Sequence, residues 1–349
     1  MLADEIIASY ETGMASAIMK NEGSSKIIDN IKAARKFCLT EDTVQMAEGV
    51  RNSKPESVLS SIAFSNPPFP LTWIEYTKTT AIGKGDLIDA ARDYEEAPTI
   101  KRLGFLIEEI DSKWMIHMGY SYKDGQYPTT INLLAHVFDR SMNQSMIDEL
   151  REFAQRAAFG NFIEEDAKKE VGSAKLAQAM DKLTDELYED MSKKEREVGK
   201  KIGQMFLPIP SPYFIKTWMG VKEKLGDIEF LKVLKTCEAD WWGEVFMPVA
   251  VCILMNCKNA TEVKDCEPLE TLNKRRQQRG VLPIMEYKIL DITEKVKRNL
   301  CVGDKEEKGI HRMHWRRGHF KIRKTGVYWW EPHLAGNAEL GMIEKDYVV

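Results

Sequence analysis

The chain has 349 residues, of which 43% are hydrophobic and 30% are charged, and its formal net charge is −4. That length suffices for two domains, or for one large domain with a smaller one attached. This balance of hydrophobic and charged residues excludes intrinsic disorder, which needs fewer apolar residues and a larger net charge. The small net charge excludes nucleic-acid binding over the whole surface, so any such role must come from a local patch.

The first residues, the apolar runs and the cysteines predict the cell compartment. Residues 1–5 lack the basic and apolar segments of a signal peptide. The longest apolar run, residues 245–255, is interrupted by Pro248 and is shorter than the ~20 residues that a membrane helix needs. The six cysteines form no CxxC pair, which favours free thiols in a reducing cytoplasm. We therefore expect a cytoplasmic protein without a membrane partner.

The N-terminal region, residues 1–160, is predicted to combine helices with a small sheet. Apolar residues recur at helical spacing through most of residues 1–50. Three stretches rich in β-branched and aromatic residues then predict an antiparallel three-strand sheet between about 71 and 122. From Asn132 the apolar period becomes helical again, with Leu133, Leu134, Val137 and Phe138 on one predicted helix.

Several titratable residues fall in or beside these predicted strands. Glu75, Glu108 and Glu109 are paired carboxylates that can serve acid–base or metal chemistry, or else they lie on the solvent face of a half-exposed sheet. His117 and His136 are isolated in the sequence. They are expected to be hydrogen-bonded structural histidines rather than metal ligands.

Residues 161–206 form a segment of distinct composition, in which acidic and basic side chains alternate densely. The apolar residues Leu176, Met180, Leu183 and Leu187 describe a narrow helical stripe. This charged arm is interpreted either as a dimerisation or partner-binding helix, with a host or phage protein as the partner, or as an ordinary surface helix pair.

The next two predicted regions are a helical block at 207–270 and a β module at 271–349. A proline-rich break at 207–212 separates the helical block from the charged arm. Arg275 and Arg279 lie at the basic end of a predicted helix that stops at Gly280. Positive charge at that position stabilises the helix, or it forms a phosphate-contacting edge.

The stretch from His311 to Gly336 concentrates the histidines, tryptophans and basic residues of the C-terminal module. If residues 317–323 are extended, successive side chains face opposite sides. One side then carries Phe320 and Ile322 and faces the core, and the other is basic. The residues on the basic side are Arg317, His319, Lys321 and Arg323. A turn at 324–326 followed by 327–330 predicts the partner strand of a hairpin.

Three interpretations of this stretch stay open. The basic side, with Arg316 and with stacking surface from Trp315 and from Trp329 or Trp330, can follow the phosphates of a single-stranded nucleic acid. Alternatively, His311, His314, His319 and His333, with Glu331, can ligate zinc. In the third interpretation the region is structural. A nuclease is a variant of the first, with His319 or His333 as general acid or base and Arg317 stabilising phosphorane charge.

Several sequence blocks also resemble a known signature. LNKRRQQRGVLPIMEYKIL, HRMHWRRGHFK, YWWEPHLAG and GMIEKDYVV occur in that order, with PFPLTWIEY and RLGFLIEE upstream. They are similar to the pattern LNxxRxxxGxxP, RRGHxK/R, WxxPHxxG and KDYxV of a family of uncharacterised tailed-phage and prophage proteins. The resemblance implies a phage genomic context and the host cytoplasm, and it implies no activity. In many members the position of Trp330 is aliphatic, which argues against stacking there.

The resemblance singles out eleven positions, which are Asn273, Arg275, Gly280, Pro283, Arg316, Arg317, Gly318, His319, Trp329, Pro332 and Gly336.

Together these patterns predict an α+β protein with a largely helical body, an N-terminal antiparallel three-strand sheet and a small C-terminal antiparallel β module. The leading functional hypothesis is a phage-encoded nucleic-acid-binding or regulatory protein without a cofactor, and it favours a non-enzymatic role. The alternatives are an interaction or virion-associated protein that uses the charged arm, and a metal- or histidine-dependent nuclease with zinc. Oligomerisation is left open.

Overall fold

A computed structural model of the chain describes residues 1–13, 25–51, 53, 55–78, 100–110, 113–123, 127–140, 198, 201–202, 205–280, 283–294, 296, 312–316, 319–330, 333–335 and 337–342. For Pro55, Leu207 and residues 227–243, 312–316, 333–335 and 337–342 it describes the backbone alone.

Six α-helices and one 3-10 turn have defined bounds among the described residues. The helices are α1 (Leu2–Glu11), α2 (Ser25–Ala33), α3 (Glu41–Arg51), α4 (Pro55–Ile62), α5 (Ile215–Asn256) and α6 (Glu270–Gln278), and the 3-10 turn is Pro212–Phe214. The long α5 is interrupted at Gly226, whose φ of 74° lies in the left-handed region that glycine adopts without a steric penalty.

In the described part of the chain, thirteen strands form three sheets. The strands are β1 (Arg35–Leu39), β2 (Leu71–Thr77), β3 (Ile100–Ile110), β4 (Lys113–Tyr122), β5 (Thr130–Phe138), β6 (Phe206–Pro210), β7 (Thr261–Cys266), β8 (Tyr287–Ile292), β9 (Arg312–Arg316), β10 (His319–Arg323), β11 (Gly326–Trp330), β12 (His333–Ala335) and β13 (Asn337–Met342).

The main sheet has eight strands in the order β6-β5-β4-β3-β2-β1-β8-β7. β1 runs parallel to both β2 and β8, whereas the other neighbours in this sheet are antiparallel. Parallel strands need a long crossover connection, and α3 and α4 provide it between β1 and β2. The remaining strands form a β10-β11 hairpin and a small mixed sheet in the order β12-β9-β13.

Helices cover both faces of the main sheet, and the described residues form one hydrophobic core on each face. On one face Phe37, Phe105 and Trp114 pack with side chains from α3, α4, the C-terminal part of α5 and the hairpin. On the other face Trp73 and Leu106 pack with α1, α2 and the beginning of α5. Burial on both faces explains why several strands are apolar at nearly every position.

The predicted fold class is wrong in its sheets. The three predicted strands do form β2, β3 and β4 with antiparallel pairing, but they are the centre of an eight-stranded mixed sheet and not a separate N-terminal sheet. The predicted helix from Asn132 is also wrong, because Thr130–Phe138 is strand β5. In the C-terminal region β8 joins the main sheet, and β9 pairs parallel with β13. The body is therefore not largely helical.

Three further sequence predictions concern membrane-spanning helices, the cysteines and the charged arm. None of the helices among the described residues combines the length and the apolar character needed to cross a membrane. The cysteines whose side chains are described, Cys38, Cys252, Cys257 and Cys266, are all free thiols. The charged arm at 161–206 lies almost entirely outside the described residues, so its helical stripe and the predicted domain boundaries stay predictions.

Candidate functional site

The β10-β11 hairpin confirms part of the alternation predicted from the sequence, with Phe320 buried and Lys321 and Arg323 exposed. Ile322, which was predicted to face the core with Phe320, is 47% exposed because it lies next to the turn. The register of the hairpin pairs His319 with Trp330, Phe320 with Trp329, and Lys321 with Tyr328. Since directly opposite residues in an antiparallel pair share a face, the side chains divide into an apolar inner face and a cationic outer face. The hairpin thus carries His319, Lys321 and Arg323 of the predicted basic side on its outer face.

The inner face fixes the hairpin to the body. Phe320, Val327 and Trp329 are buried in the core, and the rings of Phe320 and Trp329 lie 4.7 Å apart. The Asn259 side chain donates to the Trp329 carbonyl at 3.1 Å and accepts from the Trp329 N–H at 3.2 Å. In α4, Ser57 Oγ accepts from the Phe320 N–H at 2.8 Å. These contacts hold the hairpin in one orientation before any ligand binds.

The outer face combines cations with aromatic rings. Lys321 Nζ lies 4.2 Å from the centroid of the exposed Trp330 ring, and the His319 ring lies 5.9 Å from the same indole. At the turn end, Arg323 Cζ lies 5.7 Å from the centroid of Tyr328. An exposed cation–π contact contributes only about 0.5–1 kcal/mol. Its main consequence is therefore to place the charges beside ring surfaces.

The sequence of the hairpin contributes only positive charge. Residues 319–330 contain Lys321, Arg323 and Lys324 together with His319, and no Asp or Glu. The side chains of Lys321, Arg323 and Lys324 are exposed. In a protein with a net charge of −4, this makes the hairpin a local cationic surface, as the composition required of any anion-binding role.

The structure buries Trp329 and exposes Trp330, which reverses the preference that the sequence analysis gave to Trp329 as a stacking surface. Trp329, which was selected for stacking, is 4% exposed and belongs to the core, so its ring is not available to a base. Trp330 is 42% exposed on the cationic face, although the phage-family resemblance argued against it. Alternation along β11 explains the reversal, because neighbouring residues of a strand face opposite sides.

The remaining candidate residues are placed less completely. Arg317 and His311 lie outside the described residues. The structure gives only the backbone of Arg316, Trp315, His314 and His333. The antiparallel pairing of β12 with β9 aligns His333 with Arg316 and Ala335 with His314, which brings His314 and His333 onto adjacent strands.

Arg275 and Arg279 are exposed at the end of α6, a helix without a buried residue. Its described anchor is the Asn273 side chain, which donates to the Ile284 carbonyl and accepts from the Ile284 N–H. α6 and the hairpin are separate elements of the fold, so the two basic surfaces are treated as separate candidates.

The zinc interpretation gains no support from the described side chains. Among them no group of three or more His, Cys, Asp or Glu residues lies close enough together to hold a metal ion. His319 is the member of the predicted histidine set whose side chain is described, and it faces Trp330. The zinc and nuclease hypotheses therefore stay untested predictions.

The sequence analysis did not predict that Glu108, His117 and Tyr213 lie together in the structure. Glu108, predicted as a solvent-face residue in one interpretation, is 7% exposed, and His117 is 1% exposed. The Tyr213 hydroxyl lies 2.9 Å and 3.1 Å from the two Glu108 carboxylate oxygens, to which it donates, and it accepts from the Asn30 side chain at 3.0 Å. One hydroxyl thus joins β3, α2 and the 3-10 turn.

Burial shifts the pKa values of this cluster. Burial raises the pKa of Glu108, and hydrogen bonds from Tyr213 and Asn30 oppose that rise. The pKa of Tyr213 is also raised, by burial and by the neighbouring Glu108 carboxylate. Burial lowers the pKa of His117 to about 3 and that of His136 to about 4, so both imidazoles are neutral at pH 7.

The two histidines differ from the hydrogen-bonded structural histidines that were expected. Among the described residues, neither nitrogen of His117 has a hydrogen-bond partner, although its Nε2 lies 3.4 Å from a Glu108 oxygen. His136 Nε2 likewise has no partner among them. The His117 ring packs 5.1 Å from the Tyr213 ring. Perturbed pKa values mark functional and structural sites alike, and these contacts indicate that the cluster ties elements together. A signal in the sequence was Glu108 itself, a carboxylate directly after the apolar run 103–107.

Glu75 is likewise buried, with 6% exposure, and its surroundings define a structural role. Its two carboxylate oxygens accept from the N–H groups of Leu2 and Ala3 at 2.9 and 3.0 Å and from Trp73 Nε1 at 2.8 Å. An anionic group at a helix N-terminus satisfies the free N–H groups there. Glu75 therefore fixes α1 on the sheet, whereas Glu109 is exposed.

Comparison of the chain with protein-family models, curated proteins and solved structures gave no match. The resemblance to tailed-phage proteins accordingly stays a prediction, and the function has to be argued from the site alone.

Proposed function

We propose that the chain binds single-stranded nucleic acid through the outer face of the β10-β11 hairpin. The observation that carries this proposal is the position of Lys321 Nζ, 4.2 Å from the centroid of an exposed tryptophan. Single-strand binding surfaces combine cations that follow the phosphates with aromatic rings on which bases stack.

Each part of the outer face has a role in this proposal. Lys321, Arg323 and Lys324 neutralise successive phosphates, while the Trp330 ring stacks on one base. Stacking of a base on an aromatic side chain is worth about 1–3 kcal/mol. Because the inner face is already fixed by Trp329 and Asn259, little conformational entropy remains to be lost on binding.

The proposal also predicts how specific the binding is. The described outer face offers charges and ring surfaces, which bind the backbone and the π face of any base. We therefore expect little sequence preference and a strong salt dependence, with log K falling by about 0.7 per log unit of salt for each phosphate neutralised on a single strand. A cytoplasmic location in a phage-infected host belongs to the same proposal, with the sequence resemblance and the free described cysteines as its support.

The test is fluorescence anisotropy with labelled oligothymidylate and oligouridylate at low and at physiological salt. Trp330→Ala is expected to weaken binding by about 5- to 150-fold, the equivalent of 1–3 kcal/mol. Lys321→Ala combined with Arg323→Ala is expected to weaken binding further and to reduce the salt dependence. Lys274→Ala, which removes an exposed cation of α6, serves as the matched control and should bind like the wild type.

Absence of wild-type binding at low salt would refute the proposal. Unchanged affinity in both hairpin variants would refute it as well, and would direct attention to Arg275 and Arg279 instead.

A further inference from the structure

The two edges of the eight-stranded sheet differ in their capacity to pair with another strand. At one edge, β6 contains Pro208 and Pro210. Two backbone hydrogen bonds lie just beyond the ends of the β5-β6 ladder. The Ser211 N–H donates to the Leu133 carbonyl at 2.8 Å, and the Asp139 N–H donates to the Met205 carbonyl at 2.9 Å. Because hydrogen-bonded positions alternate along an antiparallel pair, residues 207 and 209 face β5. The two prolines therefore face outward, where they offer no N–H and close this edge.

At the opposite edge, the alternation of hydrogen-bonded positions shows which backbone groups of β7 point away from β8. The Thr293 N–H donates to the Ala260 carbonyl at 3.0 Å, one step beyond the β7-β8 ladder. Residues 262, 264 and 266 consequently face β8, while the N–H and C=O groups of Thr261, Val263 and Asp265 point outward. Within the described part of the chain no strand pairs with this edge. Val263 is 47% exposed there.

We propose that β7 pairs antiparallel with β7 of a second copy of this chain, centred on Val263. In this register the outward-facing backbone of Val263 meets that of its own copy, and Thr261 meets Asp265 on both sides of the centre. The two sheets then join into one continuous sheet, and the exposed Val263 side chains bury each other at the two-fold axis.

Charge complementarity selects this register. When the pairing is centred on Val263, Glu262 of each chain lies opposite Lys264 of the other chain. Both are non-hydrogen-bonded pairs, in which the side chains approach closely. The neighbouring registers that preserve backbone pairing are shifted by two residues. One of them sets Glu262 against Glu262, and the other sets Lys264 against Lys264, so both oppose like charges.

The side chains needed for this pairing are accessible. The Glu262 and Lys264 side chains are 37% and 55% exposed, and they contact each other at 2.9 Å within one chain. A six-residue strand covers less area than a standard stable interface. We therefore expect a reversible dimer with a micromolar dissociation constant, separate from any assembly through the charged arm.

Sedimentation velocity of the full chain over a range from about 1 to 300 µM tests the proposal, since this range brackets a micromolar constant. The wild type should shift from monomer to dimer. Val263→Pro removes an outward-facing N–H and leaves the β8 ladder intact, and it should remain a monomer. Val263→Thr keeps the N–H and the β-branched shape and should dimerise within a few-fold of the wild type.

Charge reversal provides a second arm that does not depend on proline. Glu262→Lys alone and Lys264→Glu alone place like charges opposite each other in the dimer and should each weaken dimerisation at least tenfold. An equimolar mixture of the two variants restores both attractive pairs and should recover the dimer. A wild type that stays monomeric throughout the range overturns the proposal, and so does a Val263→Pro variant that dimerises like the wild type. Failure of the mixture to recover the dimer would also overturn it.

Discussion

The indole ring of Trp73 lies so close to the backbone of Gly104 that a Cβ atom at residue 104 would come within 2.3 Å of Trp73 Cζ2. The two residues occupy neighbouring strands, β2 and β3, and the ring is enclosed between the sheet and Leu2 of α1. The Trp73 Nε1 hydrogen bond to Glu75 prevents the ring from moving away without losing a buried contact.

Gly104→Ala is therefore expected to destabilise the protein by about 1–3 kcal/mol or more, because the added methyl meets a rigid ring and not a flexible chain end. Urea unfolding followed by circular dichroism measures the change. Gly49→Ala is the matched control, since an added Cβ at that position in α3 meets nothing within 4 Å. Replacing glycine in a helix interior should instead stabilise by about 0.5–1 kcal/mol. Equal effects at the two glycines would contradict the argument.

Tyr213→Phe should destabilise the protein by about 1–3 kcal/mol, because it leaves the Glu108 carboxylate and the Asn30 amide without their shared partner in a largely buried site. The midpoint of urea unfolding at pH 7 gives the value. Tyr328→Phe removes a hydroxyl that bonds Thr325 on the exposed turn, and it should change stability by less than about 0.5 kcal/mol. A Tyr213 variant as stable as the wild type would show that the hydroxyl does not tie these elements together.

Acid is expected to destabilise the fold through the two buried histidines. Their folded pKa values of about 3 and about 4 lie below the unfolded value of about 6.5. As pH falls below 6.5 the unfolded chain takes up protons first, so each histidine lowers stability by about 1.4 kcal/mol per pH unit until its folded pKa is reached. The raised pKa of Glu108 acts in the opposite direction and offsets part of the loss.

The measurement is the urea midpoint of the wild type and of His117→Gln at pH 7 and pH 4.5. The variant should lose clearly less stability over this interval, because one of the two titrating groups is gone. If the variant loses as much stability as the wild type over this interval, His117 is not buried in its neutral form in the folded protein.

Asn259→Ala should loosen the hairpin without changing its outer face. The side chain accepts from and donates to the backbone of Trp329, and leaving those groups unpaired costs about 1–3 kcal/mol. We expect faster amide hydrogen exchange at residues 326–330 and weaker oligonucleotide binding, whereas Lys274→Ala on the exposed α6 should leave the exchange rates unchanged. Unaltered exchange in the Asn259 variant would show that the hairpin is held without the Asn259 hydrogen bonds.

Strand alternation was sufficient to predict the hairpin but not the sheet that supports it. An antiparallel pair with one buried face leaves a period of two in the sequence, and this pattern separated Phe320 from Lys321. β5 has apolar residues on both faces, so its run LLAHVF could not be distinguished from a helix by periodicity. β6 contains two prolines and β7 is largely polar, and both compositions are typical of edge strands that single-sequence patterns miss.

The missed cluster has a similar cause. Glu108, His117 and Tyr213 are brought together from β3, β4 and the 3-10 turn, and Tyr213 is more than a hundred positions from Glu108 in the chain. No local spacing reports such a contact, because it depends on the sheet order. Glu75 was also misjudged for this reason, since its partners are the N–H groups of Leu2 and Ala3.

The position of β1 between β2 and β8 sets the order in which the protein can be assembled. Phe37 pairs with Lys288, about 250 positions later, so this strand pair closes an unusually long loop and is expected to form late. During synthesis the outer edge of β1 remains unpaired until β8 leaves the ribosome, and such an edge is prone to pair with other chains. Slow translation between these two strands would lengthen that exposure and favour aggregation of the nascent chain.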